Sequence, residues 1–409
     1  VASDELRVVH VSPRVQAHGG IEALHAVHAT LPFAQSFVAL FDRDPEPRPG
    51  YVNLNFTWRT TLGQMRRAFA AALRPHAGRV VVYHNAWGLP FFAGVDGAAR
   101  RVALCHAMPA FHEHDLRGAA SLIDGVLSVT PALGGALPQW LPDLERARHQ
   151  LLPLPVEPPA LGGALPQWLP DLERARHQLL PLPVEPPAEW ARRGGGPEIV
   201  LGYAGRIVRE HKRLDRLPAF LRALDATGLR YRFEVLGDGA LRPELEREVG
   251  GRVRFHGWTT KDEFWRVLAR WDGLVFFTEV EGGPIALLEG MAVGAIPFYP
   301  RIGGSTGDLY APRVDAACYY PPGDLVAAAR GVREIFSREA ASIAVLRDRS
   351  RAAVAGHTRA NYGGTLENFL RQIAAFPRVS RAGAPARRWA DPLPLGLVTR
   401  AARSLLRHG

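Results

Sequence analysis

The chain has 409 residues, 47% of them hydrophobic and 22% charged, and a net charge of +10. Such a length exceeds what one core usually serves, so two domains are expected, and the composition is ordinary for a soluble globular protein. No apolar run approaches the ~20 residues of a membrane span. The positive charge suits anionic partners, but no RRM, KH, zinc-finger or helix-turn-helix signature is present, so nucleic acid is not expected among them.

VASDELRVVHVSP at the start has no basic n-region followed by an apolar h-region, so no signal peptide is expected there. RVVHVS (7–12) is a short apolar run that ends in a loop containing Gly19 and Gly20, and IEALHAVHATLP then reads as a helix. SFVALF (36–41), RVVVYH (79–84), RVALCH (101–106) and GVLSVT (125–130) are further strands. After residue 195 the pattern restarts with EIVLGYAG (198–205), YRFEVLG (231–237), RVRFHG (252–257), GLVFFT (273–278) and AIPFYP (295–300). LDRLPAFLRALDA and DEFWRVLARW are helical stretches between them. Short β-rich runs alternating with helices imply parallel sheets with crossover helices. The fold class is therefore α/β, and the restart implies two doubly wound domains.

The expected organisation is an N-terminal domain at 1–190, a C-terminal domain at 191–356, a closing helix at 357–376 and a basic tail rich in Pro and Arg at 377–409. Between the domains, residues 131–158 recur letter for letter at 159–186, a period of 28. Perfect identity over two copies is unlike a diverged solenoid. One copy suffices for a short helix (PDLERARHQ) followed by a Pro-rich strand (LLPLPVEP), so the other reads as surplus. At the end, LGLVTRAARSLLRHG (395–409) reads either as a frayed tail or as a basic amphipathic anchor to anionic lipid. Cys105 and Cys318 stand in apolar strand-like context and read as buried free thiols of a reducing compartment.

In doubly wound sheets ligands bind outside the carboxyl ends of the strands. Gly19 and Gly20 follow the first strand, where backbone can approach a phosphate closely. His84 and Asn85 follow the strand at 79–84, and His106 ends the one at 101–106. His112, Glu113, His114 and Asp115 form a cluster whose alternation fits no common metal spacing. In the second half, Gly205 is followed by Arg206 and Lys212, a guanidinium fork and a point charge suited to a diphosphate. Phe255 and His256 end a strand where backbone groups can read a base edge. TEVEGGPIALLEGMAVG (278–294) places Glu281 and the glycines Gly282 and Gly283 in a strand-end loop, and Glu289 in an apolar helix. A carboxylate in such a helix needs a partner, either a core arginine or the vicinal hydroxyls of a ribose.

EGGPIALLEG with its Glu-x7-Glu spacing, GRIVREHK, LGDGALRPELE, VRFHGW, GGSTGDL and YYPPGDL occur here in the order seen in retaining glycosyltransferases of family 4, which the chain resembles from about Val8 to Phe376. The resemblance implies a GT-B fold, two facing Rossmann-like domains with an interdomain cleft, and a donor nucleotide-diphosphate sugar held mainly by the C-terminal domain. By this resemblance Glu289 binds the ribose, Glu281 contacts the transferred sugar, and Arg206 and Lys212 clamp the diphosphate. His106 stands beside the sugar, Gly19 and Gly20 near the donor phosphates, and the backbone around Phe255 and His256 at the base. No cofactor or metal is implied, and the acceptor is a glycan or lipid-linked molecule met in the cytoplasm or at the inner membrane face. EGGP stands where many members have EGFG or EGLP, and Asp308 lies one residue later than the usual glutamate of its loop, so no role is carried to it. A nucleotide-sugar 2-epimerase of the same fold and a non-catalytic nucleotide-sugar-binding protein are the alternatives.

Overall fold

The computed structural model describes residues 6–14, 27–41, 50–98, 100–106, 115–116, 122–130, 132, 149–151, 182–190, 198–375 and 392–394. The chain divides into two compact units, one drawn from 1–129, 133–180 and 363–409, the other from 130–132 and 181–362.

The first unit is built on a seven-stranded sheet. Its strands are β1 (Arg7–Ser12), β2 (Ala34–Ala39), β3 (Tyr51–Asn53), β4 (Val80–His84), β5 (Arg100–Cys105), β6 (Gly125–Ser128) and β7 (His149–Leu151). They lie in the order β3-β2-β1-β4-β5-β6-β7, and every pairing is parallel. All five residues of β4 and all four of β6 are buried, as expected of strands covered on both faces. Helix α1 (Leu62–Leu73) buries Leu62, Met65, Phe69 and Leu73, a single stripe at helical spacing. It starts at a capping box in which Thr61 accepts from the Gln64 N–H and the Gln64 side chain accepts in return.

The second unit has six parallel strands, β8 (Ile199–Ala204), β9 (Tyr231–Leu236), β10 (Val253–Gly257), β11 (Gly273–Val275), β12 (Ile296–Pro300) and β13 (Tyr319–Tyr320). Their order is β10-β9-β8-β11-β12-β13. Around them run α2 (Leu217–Asp225), α3 (Arg242–Val249), α4 (Lys261–Leu268), α5 (Ile285–Ala292), α6 (Thr306–Val314), α7 (Leu325–Phe336) and α8 (Ala340–Ala353). Helix α9 (Arg359–Ala375) begins among residues of the second unit and ends among those of the first. Gly202 in β8 makes room for the fully buried Trp271, whose ring would overlap any Cβ at that position.

In both sheets the strand order reverses direction once, between β1 and β4 in the first unit and between β8 and β11 in the second. These are the topological switch points, where the loops at the carboxyl ends of two neighbouring strands part and leave a crevice.

Each of the ten strands expected outside the repeat is present. The short strands β3 and β13 were not expected, and of the described residues of the strand expected over LLPLPVEP only Leu151 belongs to one, β7, while 182–186 in the second copy is not a strand. Within the repeat, His149 and Gln150 belong to strand β7 and not to the helix expected over PDLERARHQ. An edge pairing with β6 outweighs the helical pattern of so short a segment. Of the expected helix over residues 21–32, residues 27–28 are helical and 21–26 lie outside the described residues. Cys105 and Cys318 are both buried free thiols, and burial pushes both thiols up. No described helix is long and apolar enough to cross a membrane.

Candidate active site

The β8 and β11 loops meet at the switch point of the second unit. Gly205 takes a positive φ of 149° and donates its N–H to the Leu236 carbonyl at 2.9 Å. Gly237, at φ 120°, lies against the Gly205 carbonyl so closely that a side chain there would overlap it. The next residue after Gly205, Arg206, is exposed, and the Tyr203 hydroxyl donates to its carbonyl at 3.0 Å. The two loops are then tied by backbone. The Thr278 hydroxyl donates to the His211 carbonyl at 2.7 Å, and the Glu279 N–H donates to the same oxygen at 3.2 Å. This tie brings Lys212 to Glu281, and the ammonium donates to Glu281 Oε2. The two side chains are only 16% and 14% exposed. Burial, with the positive charges of Lys212 and Arg206, lowers the neighbouring His211 imidazole, so that ring stays neutral more readily than a free one.

After Glu281 the chain is anchored at Gly282, whose carbonyl accepts from the Ser305 hydroxyl and the Thr306 N–H, both at 3.0 Å. Ser305 is the N-cap of α6. Asp308 completes that capping box, accepting from the Ser305 N–H at 2.8 Å and from the Tyr319 hydroxyl at 2.7 Å. It holds the loop in place. Gly283 and Pro284 then lead into α5.

Glu289 lies on α5 between Leu288 and Met291, both fully buried, and is itself 7% exposed. Burial raises its carboxyl above the usual range, and the charge and hydrogen bond of Lys261 oppose that rise. Lys261, at the start of α4, donates to Glu289 Oε1 while its own side chain stays 62% exposed. Its ammonium also lies 4.5 Å from the ring centre of Phe264 and 4.7 Å from that of Trp265. Sequence reasoning missed Lys261. It stands far from Glu289 along the chain, on a different helix, and no spacing rule links them.

At the carboxyl end of β10, Phe255 is half-buried, with the Arg242 guanidinium 5.8 Å from its ring centre. The ring of His256 turns inward and meets Glu234 Oε2 at 3.0 Å, where the Trp271 indole N–H also donates at 3.1 Å. A carboxylate only accepts, so His256 Nε2 carries the proton. Burial pushes Glu234 up, but the His256 and Trp271 hydrogen bonds outweigh it and hold the carboxyl at about 2. The His256 side chain therefore braces the sheet, and its backbone is what stands at the strand end.

In the first unit His106 follows β5. Its N–H donates to Asn85 Oδ1 at 2.8 Å, and its Nε2 lies 3.0 Å from His84 Nδ1. Gly19 and Gly20, together with His112, Glu113 and His114, lie outside the described residues. Of the expected residues, Gly205, Arg206, Lys212, Glu281 and Gly282 thus lie on the two loops that meet at the β8–β11 switch point. Glu289, Phe255 and His256 stand on the neighbouring elements of the same unit. Two carboxylates matched by two lysines, with an exposed guanidinium beside them, supply acceptors for hydroxyls and donors for phosphate oxygens.

Residues 198–338 match the family model described as Glycosyl transferases group 1. No curated protein matches the chain in sequence. Among solved structures, the chain is similar to S. aureus TarM, at 12% identity and TM-score 0.56, over 76% of this chain and 59% of that one. It thus spans about three-fifths of TarM. It is also similar to the lipopolysaccharide outer core galactosyltransferase WaaB, at 13% identity and TM-score 0.62, over 90% of this chain and 99% of that one. The pneumococcal O-GlcNAc transferase GtfA gives 8% identity and TM-score 0.66, over 91% of this chain and the whole of the other. The two parallel sheets with flanking helices are those of the GT-B fold.

Proposed function

We propose that the chain is a retaining glycosyltransferase of family 4, moving a sugar from a nucleotide-diphosphate donor to an acceptor hydroxyl. The observation that carries this reading is the meeting of Lys212 with Glu281 at the β8–β11 switch point, within the segment that matches glycosyl transferases group 1. Glu289 accepts from the ribose hydroxyls, and Glu281 from hydroxyls of the transferred sugar. Arg206 and Lys212 face the diphosphate, and Gly282 and Gly283 let backbone approach it. The backbone at Phe255 and His256 lies against the base. TarM and GtfA have each been solved with UDP, which favours a donor of this class.

In the proposed reaction the bond from the sugar's anomeric carbon to the phosphate oxygen breaks. The acceptor oxygen bonds to that carbon on the same face, and the departing phosphate takes the acceptor's proton. Arg206 and Lys212 stabilise the charge that builds on the diphosphate, so no metal takes part in the transfer. Glycosidases that retain configuration need a nucleophile and an acid/base carboxyl. Here both glutamates are engaged with hydroxyls. His106 stands beside the sugar. The acceptor is proposed to be a glycan or lipid-linked molecule of polysaccharide or lipopolysaccharide synthesis. The basic tail is proposed to meet an anionic cytoplasmic membrane face.

A thermal-shift panel of UDP-, GDP- and ADP-sugars, followed by NMR of the products formed from the stabilising donor, tests this reading. Stabilisation by one nucleotide class, with transfer or slow hydrolysis that keeps the anomeric configuration, is expected. Conversion of donor alone to its 2-epimer, or binding with no turnover in a broad acceptor screen, would overturn it.

A further inference from the structure

Three histidines of the first unit converge at its own switch point. His10 lies on β1, His84 at the end of the adjacent β4, and His28 in the helical turn before β2. All three are fully buried. His10 Nδ1 is 3.0 Å from His84 Nε2 and 3.3 Å from His28 Nδ1, and one nitrogen from each of the three rings lies within 4.8 Å of the others. Two imidazole nitrogens on one tetrahedral zinc ion, at bonds of about 2.0–2.1 Å, stand about 3.3 Å apart.

The surroundings orient these rings. The Gln35 amide nitrogen donates to the His28 carbonyl, which turns Gln35 Oε1 toward His10 Nε2 at 2.9 Å. An amide oxygen only accepts, so His10 Nε2 carries the proton, and in the neutral ring Nδ1 presents its lone pair to the other two histidines. Phe37 stacks on the His10 ring at 5.0 Å and fixes its plane. On the far side, His84 Nδ1 faces His106 Nε2 at 3.0 Å. Protonated there, His84 turns the lone pair of Nε2 toward the centre. A metal-bound histidine usually donates its outer N–H to an acceptor that fixes the ring, and here Gln35 Oε1 and His106 Nε2 stand at those positions.

We propose that His10 Nδ1, His28 Nδ1 and His84 Nε2 form a site for one divalent transition-metal ion of the zinc type. Three neutral imidazoles leave a fourth position for water or hydroxide, and imidazole donors select zinc, cobalt, nickel or copper over magnesium and calcium. The ion takes no part in the glycosyl transfer proposed above, whose cationic diphosphate clamp, Arg206 and Lys212, belongs to the other unit. With His84 Nε2 on the ion, its Nδ1–H donates to His106 Nε2, so the site holds His106 in one tautomer and orientation.

The test uses the full-length, tag-free protein, stripped with chelator and titrated with Co2+. One equivalent per chain, with the visible bands of a tetrahedral ion that Zn2+ displaces, is expected. His28→Ala and His84→Ala should each abolish the bands, and the double variant His112→Ala/His114→Ala should keep them. X-ray absorption of the zinc-loaded wild-type protein should count three imidazoles, and this reading does not depend on whether the variants fold. The proposal is overturned by failure to take up Co2+, by bands that survive in folded His28→Ala and His84→Ala, or by fewer than three imidazoles around zinc.

Discussion

Glu289→Gln separates the two reasons a carboxylate can stand in an apolar helix. The side chain keeps its shape and loses its charge. Because burial raises the carboxyl in the folded protein, the folded state holds its proton more tightly than the unfolded one does. Stability therefore falls as pH rises from the ordinary glutamate range through the folded value. Glutamine does not titrate, so its gain is absent in acid and fully present at neutral pH. An incompletely compensated buried polar group costs ~1–3 kcal/mol. Lys261 compensates part of that here, which leaves a gain of ~1–2 kcal/mol. For a domain of this size that is a rise in Tm of about 2–8 °C. Donor binding should move the other way. Losing a charged acceptor for the ribose costs ~1.5–3 kcal/mol, a weakening of Kd by about 10- to 150-fold. Differential scanning fluorimetry at pH 4.5 and pH 7.5 reads the first effect, and calorimetric titration with the stabilising nucleotide sugar reads the second. A lower Tm at pH 7.5, or donor affinity equal to wild type, would show that Glu289 serves to anchor Lys261 and would refute the reasoning.

Arg206→Ala should lower kcat by roughly 10²–10³-fold, the size of losing one preorganised donor to a developing charge. Its circular dichroism should stay unchanged, since Arg206 is exposed. Activity within a few-fold of wild type would remove it from the diphosphate clamp. Glu234, held at about 2 in the folded state, contributes ~3 kcal/mol that is present above the unfolded glutamate range and lost as pH falls toward 2. Glu234→Gln should flatten the acid limb of the stability curve measured by chemical denaturation, and an unaltered limb would contradict that. Deleting residues 152–179, one full period of the repeat, joins Leu151 directly to Leu180 and restores a single copy of the sequence. Shortening one connection changes loop-closure entropy only slowly. The deleted chain should therefore melt within a few degrees of the parent and keep its donor-induced shift, and failure to fold would show that both copies are needed.

The strands of both sheets were legible because each is a short apolar run bounded by turn residues, and burial on both faces leaves no alternation to confuse the reading. β3 and β13 were not legible because two or three residues carry too little pattern, and their pairing partners create them. The loop residues of the second unit were legible from their place just beyond the carboxyl end of each strand, where parallel topology puts ligands. Contacts across elements were not legible. Lys261 reaches Glu289 from another helix, and His256, expected at a base edge, turns its ring to Glu234. His84 was legible at its strand end, but its convergence with His10 and His28 was hidden for the same reason. Two of them sit inside the apolar runs RVVHVS and VVVYH, and a polar residue at an inward position of a buried strand was the one available signal.

Strand β7 comes from the first copy of the repeat and the described segment 182–186 from the second, where the Val184 N–H donates to the His357 carbonyl at 2.9 Å.

Each of the two glutamates that frame the proposed donor site meets a lysine. That pairing gives each carboxylate a cationic partner before the donor arrives. For Glu289 the Lys261 ammonium opposes the effect of burial, which still raises the carboxyl. The same pairing fits exchange of partners. A diphosphate that engages Lys212 draws its ammonium from Glu281, and the sugar's hydroxyls are then the donors that can satisfy the freed carboxylate. At Glu289 the ribose hydroxyls stand in the same relation to Lys261, whose exposed stem lets it withdraw at little cost. In the proposed reading the lysines partner the two carboxylates until the donor's own hydroxyls replace them. Phosphate and sugar recognition are then coupled through Lys212 and Glu281, with no proton moved on either glutamate.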